Sequence, residues 1–137
     1  MKREIVCIIP ARFESSRLPG KPLADLCGKP MIQHVYERVA KAKAVPYVAV
    51  ATDDQRIFDA VKNFGGNAIM TAATHRSGTD RIAEAVKSLN LSADAIVVNI
   101  QGDQPLIAPQ TIDETVAPLL SDPDLGMTTA AFAIVDK

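Results

Sequence analysis

The feature that most constrains this chain is a short apolar run, Ile5-Val6-Cys7-Ile8-Ile9, that meets a proline and opens into a segment no helix can use. Five apolar residues without polar alternation read as a strand covered on both faces. Beyond them, Pro10, Pro19 and Pro22 punctuate the chain, and proline lacks the amide donor that a helix interior needs. Arg12, Arg17 and Lys21 fall within the same segment, among Ser, Pro and Gly. A buried cation without a partner is very costly, so these three either sit in solvent or face something strongly anionic. At the carboxyl end of a first strand in an α/β sheet, the expected anion is a nucleotide triphosphate.

Composition excludes several classes. The 137 residues suit one domain with a single core. An apolar share of 47% and a formal net charge of −1 argue against disorder and against bulk attraction to nucleic acid or an anionic membrane. No segment nears the roughly eighteen apolar residues of a membrane span, and the apolar start is too short for a signal peptide. Cys7 and Cys27 match no metal spacing and no disulfide framework, so Cys7 reads as a core hydrophobe and Cys27 as an incidental thiol of a cytoplasmic protein.

Periodicity orders the rest. Apolar positions at 31, 32, 35, 36 and 39 predict a helix with Pro30 in its first turn. Residues 47–52 predict a second strand, and Thr52 or Asp53 caps a helix that Gly65-Gly66 ends. A short strand over 68–71 follows, then a helix from Thr79 or Asp80 to about Leu89, with Ser77 or Thr79 as its cap and Asp80 or Glu84 supporting it. Residues 95–100 predict a buried strand, Pro109–Leu120 a helix, and 127–135 a last strand. Strands alternating with helices imply a mostly parallel, Rossmann-like sheet with helices on both faces. The last strand is left without the helix expected to cover it.

Three segments could carry chemistry. Gly20-Lys21 is followed by proline and has no glycine five residues before Gly20, so the first loop is neither a Walker loop nor a dinucleotide fingerprint. Its anion would be held by side chains, with arginine suited to a bidentate grip on phosphate and lysine adding a mobile charge. A solvated basic loop is the alternative. Gln101-Gly102-Asp103 lies at the end of another apolar strand, where a carboxylate could hold Mg²⁺ or simply cap a turn before Pro105. His75-Arg76-Ser77-Gly78-Thr79-Asp80-Arg81 is accounted for by capping, yet its Ser, Thr and Arg could hold a ribose or base edge. Asp53 and Asp54 read as helix N-terminal acids and His34 as a helix surface residue, without assigned function.

These motifs resemble one family. Pro10-Ala11-Arg12-Phe13, Ser15-Ser16-Arg17-Leu18-Pro19-Gly20-Lys21-Pro22-Leu23 and Gly28-Lys29-Pro30-Met31-Ile32 are similar to the 3-deoxy-manno-octulosonate (Kdo) cytidylyltransferases, or CMP-Kdo synthetases. Ala51-Thr52-Asp53-Asp54, His75 with Ser77-Gly78-Thr79-Asp80-Arg81, and Val98-Asn99-Ile100-Gln101-Gly102-Asp103 continue the match in order, with Gln104 where the family commonly has Glu. The resemblance implies a nucleotide-diphosphosugar transferase fold and Mg²⁺-dependent transfer of CMP from CTP to Kdo for lipopolysaccharide synthesis. It implies that Arg12, Arg17 and Lys21 hold the triphosphate and that Asp103 binds Mg²⁺. Gln101 would place the sugar, while Ser77, Arg81 and the backbone around Ala11 would hold the cytidine. By analogy with arginine fingers, loss of one such cation would slow transfer on the order of 10³-fold. The resemblance further implies that residues 1–137 form the CTP-binding part. A second metal aspartate, most of the sugar pocket and the homodimer contacts lie in a later half absent here, so this chain alone is expected to be impaired. Two alternatives stand beside it: transfer to another acidic sugar such as a sialic acid, or a non-catalytic nucleotide-binding or interaction fragment.

Overall fold

The computed structural model describes residues 4–13, 20–73, 78–91, 95–102 and 107–122. Strand β1 (Ile5–Ala11) comes first, then a 3-10 turn (Lys21–Leu23) and a two-residue hairpin, β2 (Asp25–Leu26) and β3 (Lys29–Pro30). Helix α1 (Met31–Ala40), β4 (Tyr47–Thr52), α2 (Gln55–Asn63), β5 (Ala68–Met70), α3 (Gly78–Ser88), β6 (Ile96–Asn99) and α4 (Pro109–Ser121) follow. The strand expected over 127–135 lies outside the described residues.

The main sheet has the order β5-β4-β1-β6, and each of its pairings is parallel. The register brings Ala11, Thr52 and Met70 level at one edge, so three strands deliver their chain exits to the same place. All seven residues of β1 are buried. Ile5, Cys7 and Ile9 face α1, α2 and α4 through Ile32, Val35, Val39, Ile57, Val61, Ile112 and Val116. Ile8, with Ala49 and Ala51 of β4, faces Ile82 and Ala85 of α3. Among the described residues, helices thus cover both faces, three on one and one on the other. Among the described residues, no helix is long and apolar enough to cross a membrane.

Three expectations change. The first strand does not stop at Pro10 but runs through it to Ala11. In a parallel ladder alternate residues address the same neighbour, and Ile8 accepts from the Ile100 amide on the β6 side. Pro10 addresses that side too, beyond the last paired residues, Ile8 and Asn99, so its missing N–H breaks no ladder bond. Second, β6 is not covered on both faces: Val97 is 39% exposed, because α3 packs over β1 and β4. Third, the β2–β3 hairpin was not expected. It turns at Cys27 and Gly28, both with positive φ, and is tied to α1 where His34 Nε2–H donates to Leu26 O at 2.6 Å. His34 is therefore half-buried rather than a free surface residue.

The ends of α2 show why the sequence punctuates it there. Gly66 N–H donates to Val61 O at 2.9 Å and Gly65 N–H to Lys62 O at 3.1 Å, the paired bonds of a Schellman stop. The two cysteines divide as their settings demand. Burial in β1 pushes the Cys7 thiol up to about 12, whereas Cys27 is exposed at the hairpin turn. Thiol titration at pH 8 should therefore detect one reactive cysteine in the native chain and two after unfolding in guanidinium.

Candidate functional site

Where β1 and β4 end, the chain opens a cleft of about 380 Å³, lined by Arg12, Phe13, Asp53, Asp54, Arg56, Ala73 and Arg81. Its members come from distant parts of the sequence. Arg12 and Phe13 leave β1, Asp53 and Asp54 leave β4, Arg56 begins α2, and Arg81 lies in the second turn of α3. Three guanidinium groups thus face two carboxylates, and each carboxylate already has a partner.

Asp54, rather than Thr52 or Asp53, caps α2. Its Oδ1 accepts from the Arg56 amide at 2.8 Å and the Ile57 amide at 3.3 Å, satisfying donors that the first helical turn leaves open. Thr52 cannot serve, because it is buried as the last residue of β4, and its Oγ1 instead accepts from the Asp54 amide at 3.2 Å. Arg56 curls back onto the same cap, with Nη2 2.7 Å from Asp54 Oδ2 and Nε 3.1 Å from Oδ1. That charge-assisted pair is the main reason the Asp54 carboxyl is held below its usual range. The Ile57 and Arg56 amides add to the effect, and burial opposes it.

Asp53 is left to face Arg81, at 3.7 Å from Nη1. Arg81 is only 5% exposed, and a guanidinium so buried needs more than one long ion pair. The same nitrogen donates to Thr71 Oγ1 at 2.6 Å and reaches Ala72 O at 3.4 Å. One helical turn further on, Glu84 accepts from the Ala72 amide at 3.1 and 3.3 Å. Glu84 therefore supports the loop after β5, and Thr79 lies inside α3 rather than before it.

Arg12 differs from the other two. It is exposed, as Arg56 is, but among the described residues no carboxylate pairs with it. Ala11, beside it, is the buried last residue of β1. Of the expected site residues, the structure brings Arg12 and Arg81 to one cleft. Lys21 is half-buried at the start of the 3-10 turn, outside the lining. Gln101 is exposed past β6, where its Nε2 donates to Asn99 Oδ1 at 3.2 Å. Arg17, Ser77 and Asp103 lie outside the described residues. Gly102 is buried against β1, and a β-carbon there would lie 3.2 Å from Pro10 O, close enough that a larger residue would have to push the two backbones slightly apart. Asp53, Asp54, Arg56 and Phe13 join the cleft, although no role there was assigned to them from sequence. The available signal was that Asp53-Asp54 leaves a parallel strand at the same edge as Arg12.

The mostly parallel sheet with helices on both faces is an α/β fold of the nucleotidyltransferase type. Comparison with known proteins narrows this further: the chain belongs to the cytidylyltransferase family, whose model matches residues 6–136. It is 68% identical to a 3-deoxy-manno-octulosonate cytidylyltransferase of Syntrophus aciditrophicus, over 96% of this chain and 53% of that protein. It is 52% identical to an 8-amino-3,8-dideoxy-manno-octulosonate cytidylyltransferase of Shewanella piezotolerans, over 97% of this chain and 55% of that protein. Among solved structures, a CMP:2-keto-3-deoxy-manno-octonic acid synthetase complexed with CTP superposes with a TM-score of 0.84 at 50% identity, covering 89% of this chain and 49% of that one. The chain spans about half the length of the curated relatives it matches.

Because the Asp54 carboxyl is held below its ordinary value of 3.8, its charge stabilises the fold fully above that pH, and the benefit is lost as pH falls through the lower folded value. Asn keeps the cap but not the charge. Urea unfolding of Asp54→Asn should therefore give a less stable chain than the parent at pH 7, with the two converging as pH drops below about 4.

Proposed function

We propose that this chain is the CTP-binding part of a cytoplasmic enzyme that transfers CMP from CTP to 3-deoxy-manno-octulosonate and releases pyrophosphate. The observation that carries the proposal is the cleft at the carboxyl edge of the sheet. There Arg56 and Arg81 are matched by carboxylates, and among the described residues Arg12 is the cleft cation without one, available to an anionic ligand. The names of the relatives supply the nucleotide and the sugar.

In this reading the anomeric hydroxyl of the sugar attacks the α-phosphorus of CTP, and the bond to the bridging oxygen of the β-phosphate breaks. Such transfers depend on positioning and on stabilising charge at the phosphate oxygens. Arg12, Arg17 and Lys21 hold the triphosphate and neutralise the departing pyrophosphate. Ser77, Arg81 and the backbone at Ala11 hold the cytidine, and Gln101 orients the sugar.

Asp103 is the residue that would hold Mg²⁺. Among the described residues no group of three or more His, Cys, Asp or Glu could bind a metal, and Asp53 and Asp54 are turned to guanidinium groups. Mg²⁺ on a triphosphate often takes only one or two protein carboxylates, so a single aspartate following the tightly packed Gly102 fits that donor set. When bound, the metal supplies positive charge to the phosphate oxygens. A second reading concerns the sugar. Relatives just over half identical are named for 8-amino-3,8-dideoxy-manno-octulosonate, which carries an amine in place of a hydroxyl at C8.

Calorimetric titration with CTP in Mg²⁺, against ATP as the matched control, tests the proposal. Selective binding of CTP, weakened in Asp103→Asn only when Mg²⁺ is present, is the expected result. Equal binding of CTP and ATP, or none of either, would overturn it.

A further inference from the structure

Phe13 has no role in the chemistry above, yet its ring is held from two directions. Arg56 Cζ stands 3.3 Å from the ring centroid, well inside the range of a cation–π contact. Gly20 packs against the same ring: a β-carbon there would lie 2.9 Å from Phe13 Cε2, and φ at Gly20 is +76°, so the position is restricted to glycine twice over. The Gly20 amide also donates to Phe13 O at 2.5 Å. Phe13 directly follows Arg12, and Gly20 directly precedes Lys21. One aromatic ring therefore joins the two ends of the segment that carry these cations, and α2 grips that ring through Arg56.

Arg56 can do this because Asp54 fixes it. Two guanidinium nitrogens meet two carboxylate oxygens, and that carboxylate is itself fixed as the cap of α2. The planar fork is pre-organised, so stacking on Phe13 immobilises little more of the side chain. A guanidinium with a carboxylate on one side and an aromatic face on the other is placed to orient neighbours rather than to bind phosphate itself.

We propose that Arg56 is a positioning residue for nucleotide triphosphate: held by Asp54, it clamps Phe13 against Gly20 and so sets where Arg12 and Lys21 present their charges. The proposal rests on the CTP reading given above. It predicts that Arg56 and Phe13 act as one unit in binding, so that loss of either weakens phosphate affinity in a chain that remains folded.

The test is calorimetry on the whole chain with Mg·CTP and, separately, inorganic tripolyphosphate, for Arg56→Ala, Phe13→Leu, the double variant and Arg56→Lys. Arg56→Ala and Phe13→Leu should each weaken both ligands about fivefold, the upper end for an exposed cation–π contact. The double variant should be no weaker than either single one, as coupled residues behave, and Arg56→Lys should lie between. Thermal unfolding separates fold from binding: Arg56→Ala should lose only the modest stability of an exposed ion pair, and Lys62→Ala, which removes a longer 5.7 Å contact with Phe58 further along α2, should leave binding unaltered. Unchanged affinity in Arg56→Ala, or losses that multiply in the double variant, would overturn the inference while CTP binding by the parent keeps the functional reading. No CTP binding by the parent would overturn both.

Discussion

Everything in this molecule depends on β1 being removed from water on both faces while paired along both edges. A strand so enclosed has no room for a charge, and its sequence carries none between Ile5 and Ala11. The first charged residue, Arg12, therefore emerges where the enclosure ends. The register puts the ends of β4 and β5 at the same level, so their first polar residues emerge beside it. The cleft is a consequence of where burial stops.

Within the cleft, the buried cation and the exposed ones are held differently. Arg81, the buried cation, is tied to a hydroxyl, a carbonyl and a carboxylate. Arg56, at the surface, is held by the Asp54 carboxylate and the Phe13 ring. Arg12, exposed like Arg56, has no carboxylate partner among the described residues. A buried guanidinium must offset its free energy of desolvation with several contacts, and an exposed one need not.

Much of this was legible in the sequence, and the exceptions have physical reasons. Apolar runs located β1, β4, β5 and β6, and helical spacing located α1, α2 and α4, because burial on a defined face leaves a period in the residues. Pro10 read as a stop because local rules do not reveal which neighbour a residue addresses, and that depends on β6, far along the chain. The cap of α2 was misplaced by one or two residues because Thr52, Asp53 and Asp54 are all good caps by type, and only the burial of Thr52 excludes it. Arg12 was found as a cleft residue because loop cations after a buried strand have positional meaning. Arg56 was missed because its partners, Phe13 and Asp54, lie on different strand exits, and no local pattern joins them.

The pairing of Ile5 with Ile96 has a consequence in time. The two strands are separated by most of the chain, so β1 is synthesised long before its β6 neighbour exists. At a ribosomal rate of about 5–20 residues per second, that interval is roughly 5–20 seconds. Closing so long a loop adds only slowly to the entropy already lost, yet pairing this non-local makes folding slow. Until then the apolar β1 has only β4 to pair with, and the backbone of Gly102 has not arrived against Pro10. What β6 completes is the second edge of β1 and not the cleft, whose lining from Arg12 to Arg81 has by then been synthesised.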